Sequence, residues 1–164
     1  MSLKGTRNIS SSCCICTLSN KMTERTSFVS NSFKTHHAKG YEEMKQITED
    51  LESERLNGSK IFVYFTGEKM STGESWCPDC VKAEPFVQEY LTKNESKLKI
   101  GHLIIVDVGN REQWKDKNNS FRTVFNIQNI PTIIRWKGPQ KLSGEELCDE
   151  SILALLFEDQ EDYL

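Results

Sequence analysis

Between residues 41 and 51 the apolar positions Tyr41, Met44, Ile47 and Leu51 fall at steps of three and four among Glu, Lys and Gln. That spacing places them on one stripe of an amphipathic helix lying on a core. Asn57 and Gly58 supply its stop. The pattern then changes. Ile61, Phe62, Val63, Tyr64 and Phe65 run apolar without alternation, as a central strand covered on both faces does. A loop with Gly67 and Gly73 comes next. Helical spacing returns with Val81, Ala83, Phe86, Val87, Tyr90 and Leu91, and Pro85 inside this helix predicts a kink. Leu103, Ile104, Ile105, Val106 and Val108 form a second buried strand, ended by Gly109.

The rest of the chain is shorter in its elements. Residues 110–126 read as a loop with helical turns, carrying Trp114, Phe121, Val124 and Phe125. Residues 130–136 form a third strand. Gly138 and Pro139 turn the chain, and Lys141 and Leu142 fall on a short last strand. A final helix from about Glu145 is expected to bury Cys148, Ile152, Leu155 and Leu156. Glu158, Asp159, Glu161 and Asp162 make a solvated acidic end. Two buried strands with a helix between them form a βαβ unit, and the last two strands a hairpin. The expected fold is α/β: a small mixed sheet flanked by helices.

Residues 1–38 differ in character from the remainder of the chain. They are rich in Ser, Thr and Asn, with one apolar cluster at residues 13–18. Phe28, Val29 and Phe33 suggest a short edge strand. Lys4, Arg7 and Lys21 precede any substantial acidic character, a weak transit-peptide composition outweighed by the reading as a disordered polar leader. Met22 is an alternative start. Residues 39–164 are read as one domain. The net charge of -3 gives no reason to expect nucleic acid as a partner. No apolar run approaches the length of a bilayer span.

The chemistry concentrates in Ser75-Trp76-Cys77-Pro78-Asp79-Cys80. Cysteines three apart meet on one face if a helix begins at the first. Pro78 suits the first helical position, where no N–H is needed. Asp79 suits the first turn. Cys77 then caps the helix at the positive end of its dipole, where a thiolate is stabilised. The stretch predicts a redox-active dithiol with Cys77 as nucleophile and Cys80, one turn deeper, as resolving thiol. The charge of Asp79 opposes the thiolate and tunes its potential. Trp76 reads either as part of the substrate-facing surface or as a half-exposed packing residue. The dithiol lies just past the carboxyl end of the 61–65 strand, where open α/β sheets place their sites.

These motifs resemble thioredoxin-like proteins, and most closely the thioredoxin domain-containing protein 17 family. The resemblance is carried by Tyr64-Phe65-Thr66-Gly67, the WCPDC stretch at Trp76–Cys80, Ala83-Glu84-Pro85, Trp114-Lys115-Asp116, Asn119 with Phe121-Arg122, Pro131-Thr132 and residues 139–142. It covers about residue 40 to the end. It implies a thioredoxin-like fold and a cytoplasmic, monomeric disulfide reductase with a redox-active Cys77–Cys80 disulfide. Electrons would come from NADPH through thioredoxin reductase. Substrates would include small disulfides such as cystine, or proteins; a peroxidase-linked activity is also implied. No bound cofactor or metal is implied. Pro131 would be a cis-proline facing the dithiol, leaving the backbone of Ile130 to pair with substrate. The buried aspartate that helps deprotonate the resolving cysteine in ordinary thioredoxins is replaced here by Tyr64. A water or Glu84 would then take the proton from Cys80.

Other readings compete. A CxxC is half of a Cys₄ zinc site, and Cys13 with Cys16 is a second pair, with His36 and His37 as further ligands. Zinc modules usually place their pairs ~12–20 residues apart, and these pairs are much farther apart. A redox-sensing interaction module in signalling is compatible with the same residues. Cys148 reads as a buried packing thiol and His102 as structural. Cys13, Cys14 and Cys16 read as incidental, with acylation as the alternative.

Overall fold

The apolar run expected to be a central strand occupies the middle of the sheet. In the computed structural model, which describes residues 33–54, 58–98 and 101–158, it is strand β2 (Lys60–Thr66). Side chains alternate faces along a strand. Phe62 and Tyr64 therefore join one cluster, with Ala83, Val87, Tyr90, Leu153, Leu156 and Phe157. Ile61, Val63 and Phe65 join another, with Met44, Leu51, Trp114 and Phe121. Both faces are sealed.

Around β2 lie β1 (Phe33–Lys39), α1 (Gly40–Ser53), α2 (Pro78–Lys93), β3 (Gly101–Asp107), α3 (Arg111–Lys115), α4 (Ser120–Val124), β4 (Thr132–Arg135), β5 (Lys141–Ser143), a 3₁₀ segment (Gly144–Cys148) and α5 (Glu150–Phe157). The sheet order is β1-β3-β2-β4-β5. β1, β3 and β2 run parallel, while β4 pairs antiparallel with β2 and β5 with β4. Helices α1, α3 and α4 pack into one cluster, joined by Cys77 and Cys80 at the start of α2, and the rest of α2 packs with α5 into the other. The architecture is the expected α/β one, a mixed five-stranded sheet flanked by helices.

Several boundaries differ from the sequence reading. The domain begins before residue 39, because β1 starts at Phe33 and pairs with β3 along its whole length. Lys34, His37 and Lys39 are exposed, or nearly so, on this edge strand, and their polarity disguised it. Phe28 and Val29 lie outside the described residues, as do Cys13, Cys14 and Cys16. His102 also has a partner: its Nδ1 lies 3.1 Å from His36 Nε2. Burial lowers the pKa of both imidazoles, and Lys34 adds to this.

Helix α1 ends at Ser53, ahead of the expected stop; Asn57 is outside the described residues and Gly58 has a φ of 68°. The last helix is divided. Asp149 is extended, and its carboxylate accepts from the N–H groups of Ser151 and Ile152, so it caps a new helix. This break rotates the apolar stripe: Leu147, Leu153, Leu156 and Phe157 are buried, Cys148 and Ile152 are half-buried, and Leu155 is exposed. Phe86 on α2 is likewise exposed. Helix α2 runs through Pro85 without interruption.

Phe62 is 0 % exposed, and its ring packs against those of Phe33 and Phe157. Phe62→Ala is expected to lower unfolding free energy by about 3–5 kcal/mol. Leu155→Ala, at a residue 57 % exposed, should stay within about 0.5 kcal/mol. Urea unfolding of the reduced protein measures both.

Candidate active site

The dithiol sits where β2 hands the chain to α2. Residues between them form a tight return. Lys69 and Ser75 make an antiparallel bridge, and Met70 N–H donates to the Glu74 carbonyl at 2.8 Å. Gly67 is required for this path. A Cβ there would lie 2.8 Å from Ser75 Oγ and 2.9 Å from the Trp76 ring. The Ser75 hydroxyl instead donates to the Gly67 carbonyl at 2.9 Å and accepts the Cys77 N–H at 3.2 Å.

Cys77 is the N-cap of α2, with extended backbone, and Pro78 opens the helix. Its Sγ accepts the Cys80 N–H at 3.3 Å. Helix-start stabilisation of the thiolate is thus present as read from the motif. A stronger contribution was not legible there: the Cys80 thiol also donates to Cys77. That hydrogen bond is the largest cause holding Cys77 down to about 7, against burial and the charge of Asp79, which push it up. The same bond, together with burial, pushes Cys80 far up. The two thiols are therefore sharply divided, one ionised near neutrality and the other a proton donor.

Both cysteines are free, and both are more buried than a freely exposed nucleophile: Cys77 is 5 % exposed and Cys80 is 0 % exposed. The Ile130–Pro131 peptide is cis. Ile130 and Pro131 are buried beside the dithiol, and the Ile130 carbonyl faces Cys77 Sγ at 3.6 Å. Pro78 and Asp79 are exposed at the helix start. Trp76 is half-buried, so it serves both as packing and as surface. Its Nε1–H donates to the Gly109 carbonyl at 2.8 Å, and the Arg111 guanidinium lies 5.4 Å from its ring centroid.

Tyr64 lies beneath α2 and is 1 % exposed. Burial raises its pKa well above the usual phenol value, with the neighbouring Cys80 and Glu84 adding to this. It cannot act as a base near neutral pH. Glu84 accepts an ion pair from Lys69 at 2.8 Å. The Trp114–Arg122 region is a packed unit: Arg122 donates to the Trp114 carbonyl at 2.9 Å and stacks on its ring. Among the described residues no group of three or more His, Cys, Asp or Glu is placed to hold a metal ion. Thr66, Gly67, Ser75 and Gly109 were not singled out for roles from sequence, although the first two lie in the Tyr64-Phe65-Thr66-Gly67 motif.

A family model for the thioredoxin domain of thioredoxin domain-containing protein 17-like proteins matches residues 37–159. The chain belongs to the thioredoxin domain-containing protein 17 family. The human protein named thioredoxin domain-containing protein 17 is 41 % identical over 118 residues, covering 72 % of this chain and 89 % of that protein. The mouse protein of the same name is 39 % identical over 118 residues, with the same coverage. An Arabidopsis thaliana protein named thioredoxin-like protein Clot is 35 % identical over 99 residues, covering 58 % of this chain and 72 % of that one. Membership in this family assigns the chain a thioredoxin-type redox role.

Because the Cys77 thiolate predominates only above about pH 7, its alkylation by iodoacetamide should accelerate as pH climbs through that value. Cys80→Ala removes the donating thiol. It should raise the midpoint by about one pH unit, the equivalent of one hydrogen bond to a charge. An unchanged midpoint would show that the Cys80 thiol does not set the reactivity of Cys77.

Proposed function

We propose that the protein is a thiol–disulfide oxidoreductase that reduces small disulfides, cystine among them, and accessible protein disulfides. The observation that carries this reading is the placement of the dithiol: Cys77 caps α2 and its Sγ accepts the Cys80 N–H at 3.3 Å, while Cys80 lies fully buried within the helix. The Cys77 thiolate attacks one sulfur of the substrate, RS–SR′. A Cys77–S–S–R mixed disulfide forms, and R′S⁻ leaves and is protonated. Cys80 then attacks Cys77 Sγ, the Cys77–Cys80 disulfide forms, and the second thiol departs. Two electrons have moved from the protein to the substrate.

The closed setting of Cys77 supports a narrow substrate range. A disulfide has to present its sulfur edge-on between Trp76, the helix start and Ile130. Cystine or an extended protein segment fits that demand better than a folded surface. The Ile130 backbone offers the substrate main chain a place to pair, and Pro131 adds no competing N–H. Asp79 at the rim disfavours anionic groups beside the attacking sulfur. NADPH, through thioredoxin reductase, would return the dithiol to its reduced form, and the cytoplasm is the compartment that suits a reducing dithiol. A peroxidase-linked role would use the same electrons through a partner.

Trapping tests the assignment. Cys80→Ser should accumulate mixed disulfides through Cys77, whereas Cys77→Ser should trap nothing. The wild-type protein should consume NADPH with thioredoxin reductase and cystine. Trapping through Cys80 instead would reverse the two roles. No trapping by either variant, with no reduction of cystine, would end the reductase reading.

A further inference from the structure

Around Cys77 the charges are unevenly placed. On the helix side stands Asp79, exposed in the first turn of α2. On the loop side stands Trp76, the residue before Cys77, and it is fixed twice. Its N–H donates to the Glu68 carbonyl at 3.2 Å, and its indole Nε1–H donates to the Gly109 carbonyl at 2.8 Å. Two residues past Gly109, Arg111 opens α3. Asn110 caps that helix: its side chain accepts the Gln113 N–H at 3.0 Å, and its own N–H donates to Gln113 Oε1 at 2.9 Å. The backbone that carries Arg111 is thus anchored beside Trp76, and the guanidinium carbon lies 5.4 Å from the Trp76 ring centroid. Arg111 is exposed, and among the described residues no carboxylate is paired with it. Two other cations near the dithiol are already engaged, Lys69 by Glu84 at 2.8 Å and Lys82 by Glu145 at 3.3 Å.

We infer that Arg111, held on the face of Trp76, is a specificity-determining residue that binds a carboxylate of the disulfide attacked by Cys77. A cation–π contact uses the charge of the guanidinium and leaves its N–H donors free for a carboxylate. The contact also limits the rotamers of an exposed side chain that would otherwise be loose, so less entropy is lost when the carboxylate arrives. In an amino-acid disulfide the carboxylate and the ammonium group share an α-carbon, a methylene away from the sulfur. Both therefore travel close to the bond that Cys77 attacks. The charges flanking Cys77 suit that pair. Arg111, over Trp76, attracts the carboxylate, while Asp79 at the helix start favours the ammonium group and repels a second anion. The guanidinium holds the carboxylate before attack and during it alike, so it promotes capture of the substrate and leaves the sulfur chemistry to the dithiol. Being exposed, the contact is weakened by salt.

The inference rests on the reductase reading, and one experiment separates the two. Reduced protein is mixed with an excess of cystine, or of cystamine, which carries the same disulfide and ammonium groups without the carboxylates. The loss of protein thiols is timed, and the ratio of the two second-order rate constants is taken. Arg111→Gln should lower the cystine-to-cystamine ratio by about fivefold, the size of one well-placed exposed ion pair. Arg111→Glu should lower it further. Added salt should narrow the difference between the wild-type protein and Arg111→Gln. If the ratio in Arg111→Gln equals that of the wild type, whether both rates hold or both fall together, Arg111 does no more than pack on Trp76 and the inference is overturned. If the wild-type protein loses no thiols to either disulfide, the reductase reading itself is overturned instead.

Discussion

The structure depends on the burial of β2 from both sides. A strand with Phe62, Val63 and Phe65 each 0 % exposed has to be roofed by helices on both faces, and each such side chain contributes about 1.5–3 kcal/mol through burial. One roof is α1 with α3 and α4; the other is α2 with α5. For α2 to lie over β2 and lead into the parallel strand β3, the chain has to leave β2 at its carboxyl end and enter the helix there. The start of α2 is therefore fixed above the end of β2. The dithiol occupies the place where a helix N-terminus, a loop and the Ile130–Pro131 segment converge, and the packing of the sheet brings them together.

At that place the electrostatics are arranged by proximity more than by charge. The formally charged group nearest in sequence, Asp79, works against the Cys77 thiolate. The thiolate is favoured by a set of donors, led by the thiol of Cys80 and completed by backbone N–H groups at the helix start. A thiol–thiolate hydrogen bond stabilises the charge on one sulfur and suppresses it on the other. The pair thus behaves as a single unit with one readily lost proton. The proposed mechanism needs this division: an attacking thiolate at Cys77, although it is nearly closed off from solvent, and a Cys80 kept protonated until its partner is engaged.

Much of this was legible in the sequence, for identifiable reasons. The run at residues 61–65 fitted a doubly covered strand, and Pro78 with Asp79 favoured a helix beginning at Cys77. The cis geometry at Ile130–Pro131 was implied by the resemblance; periodicity carried no sign of it. Three things were hidden. β1 is an edge strand whose outward positions are polar, so its pattern merged with the polar stretch before it. Asp149 looked like one more acidic residue in a helix, whereas its side chain caps a new one and turns Leu155 outward. The Gly109 carbonyl that takes the Trp76 indole N–H lies 33 positions further along the chain. No local spacing connects them, because the link is made by the sheet and the loop.

The loop between β2 and α2 is held mainly by main-chain bonds. Trp76 N–H donates to the Glu68 carbonyl at 3.2 Å, and Gly109 carbonyl receives both the Glu68 N–H and the Trp76 indole. The Lys69–Glu84 ion pair joins the loop to α2, with Lys69 well exposed, and pairs of that kind contribute at most about 1 kcal/mol. The difference matters for the chemistry. Backbone hydrogen bonds fix the direction of neighbouring peptide groups, whereas a long ion pair tolerates many arrangements. With Glu68 tied to the end of β3 and Ser75 tied to the Gly67 carbonyl, the Gly67 peptide has little freedom to turn. The approach to Cys77 is thereby fixed from both sides, by the end of β3 and by the Ser75 hydroxyl, which also accepts the Cys77 N–H at 3.2 Å.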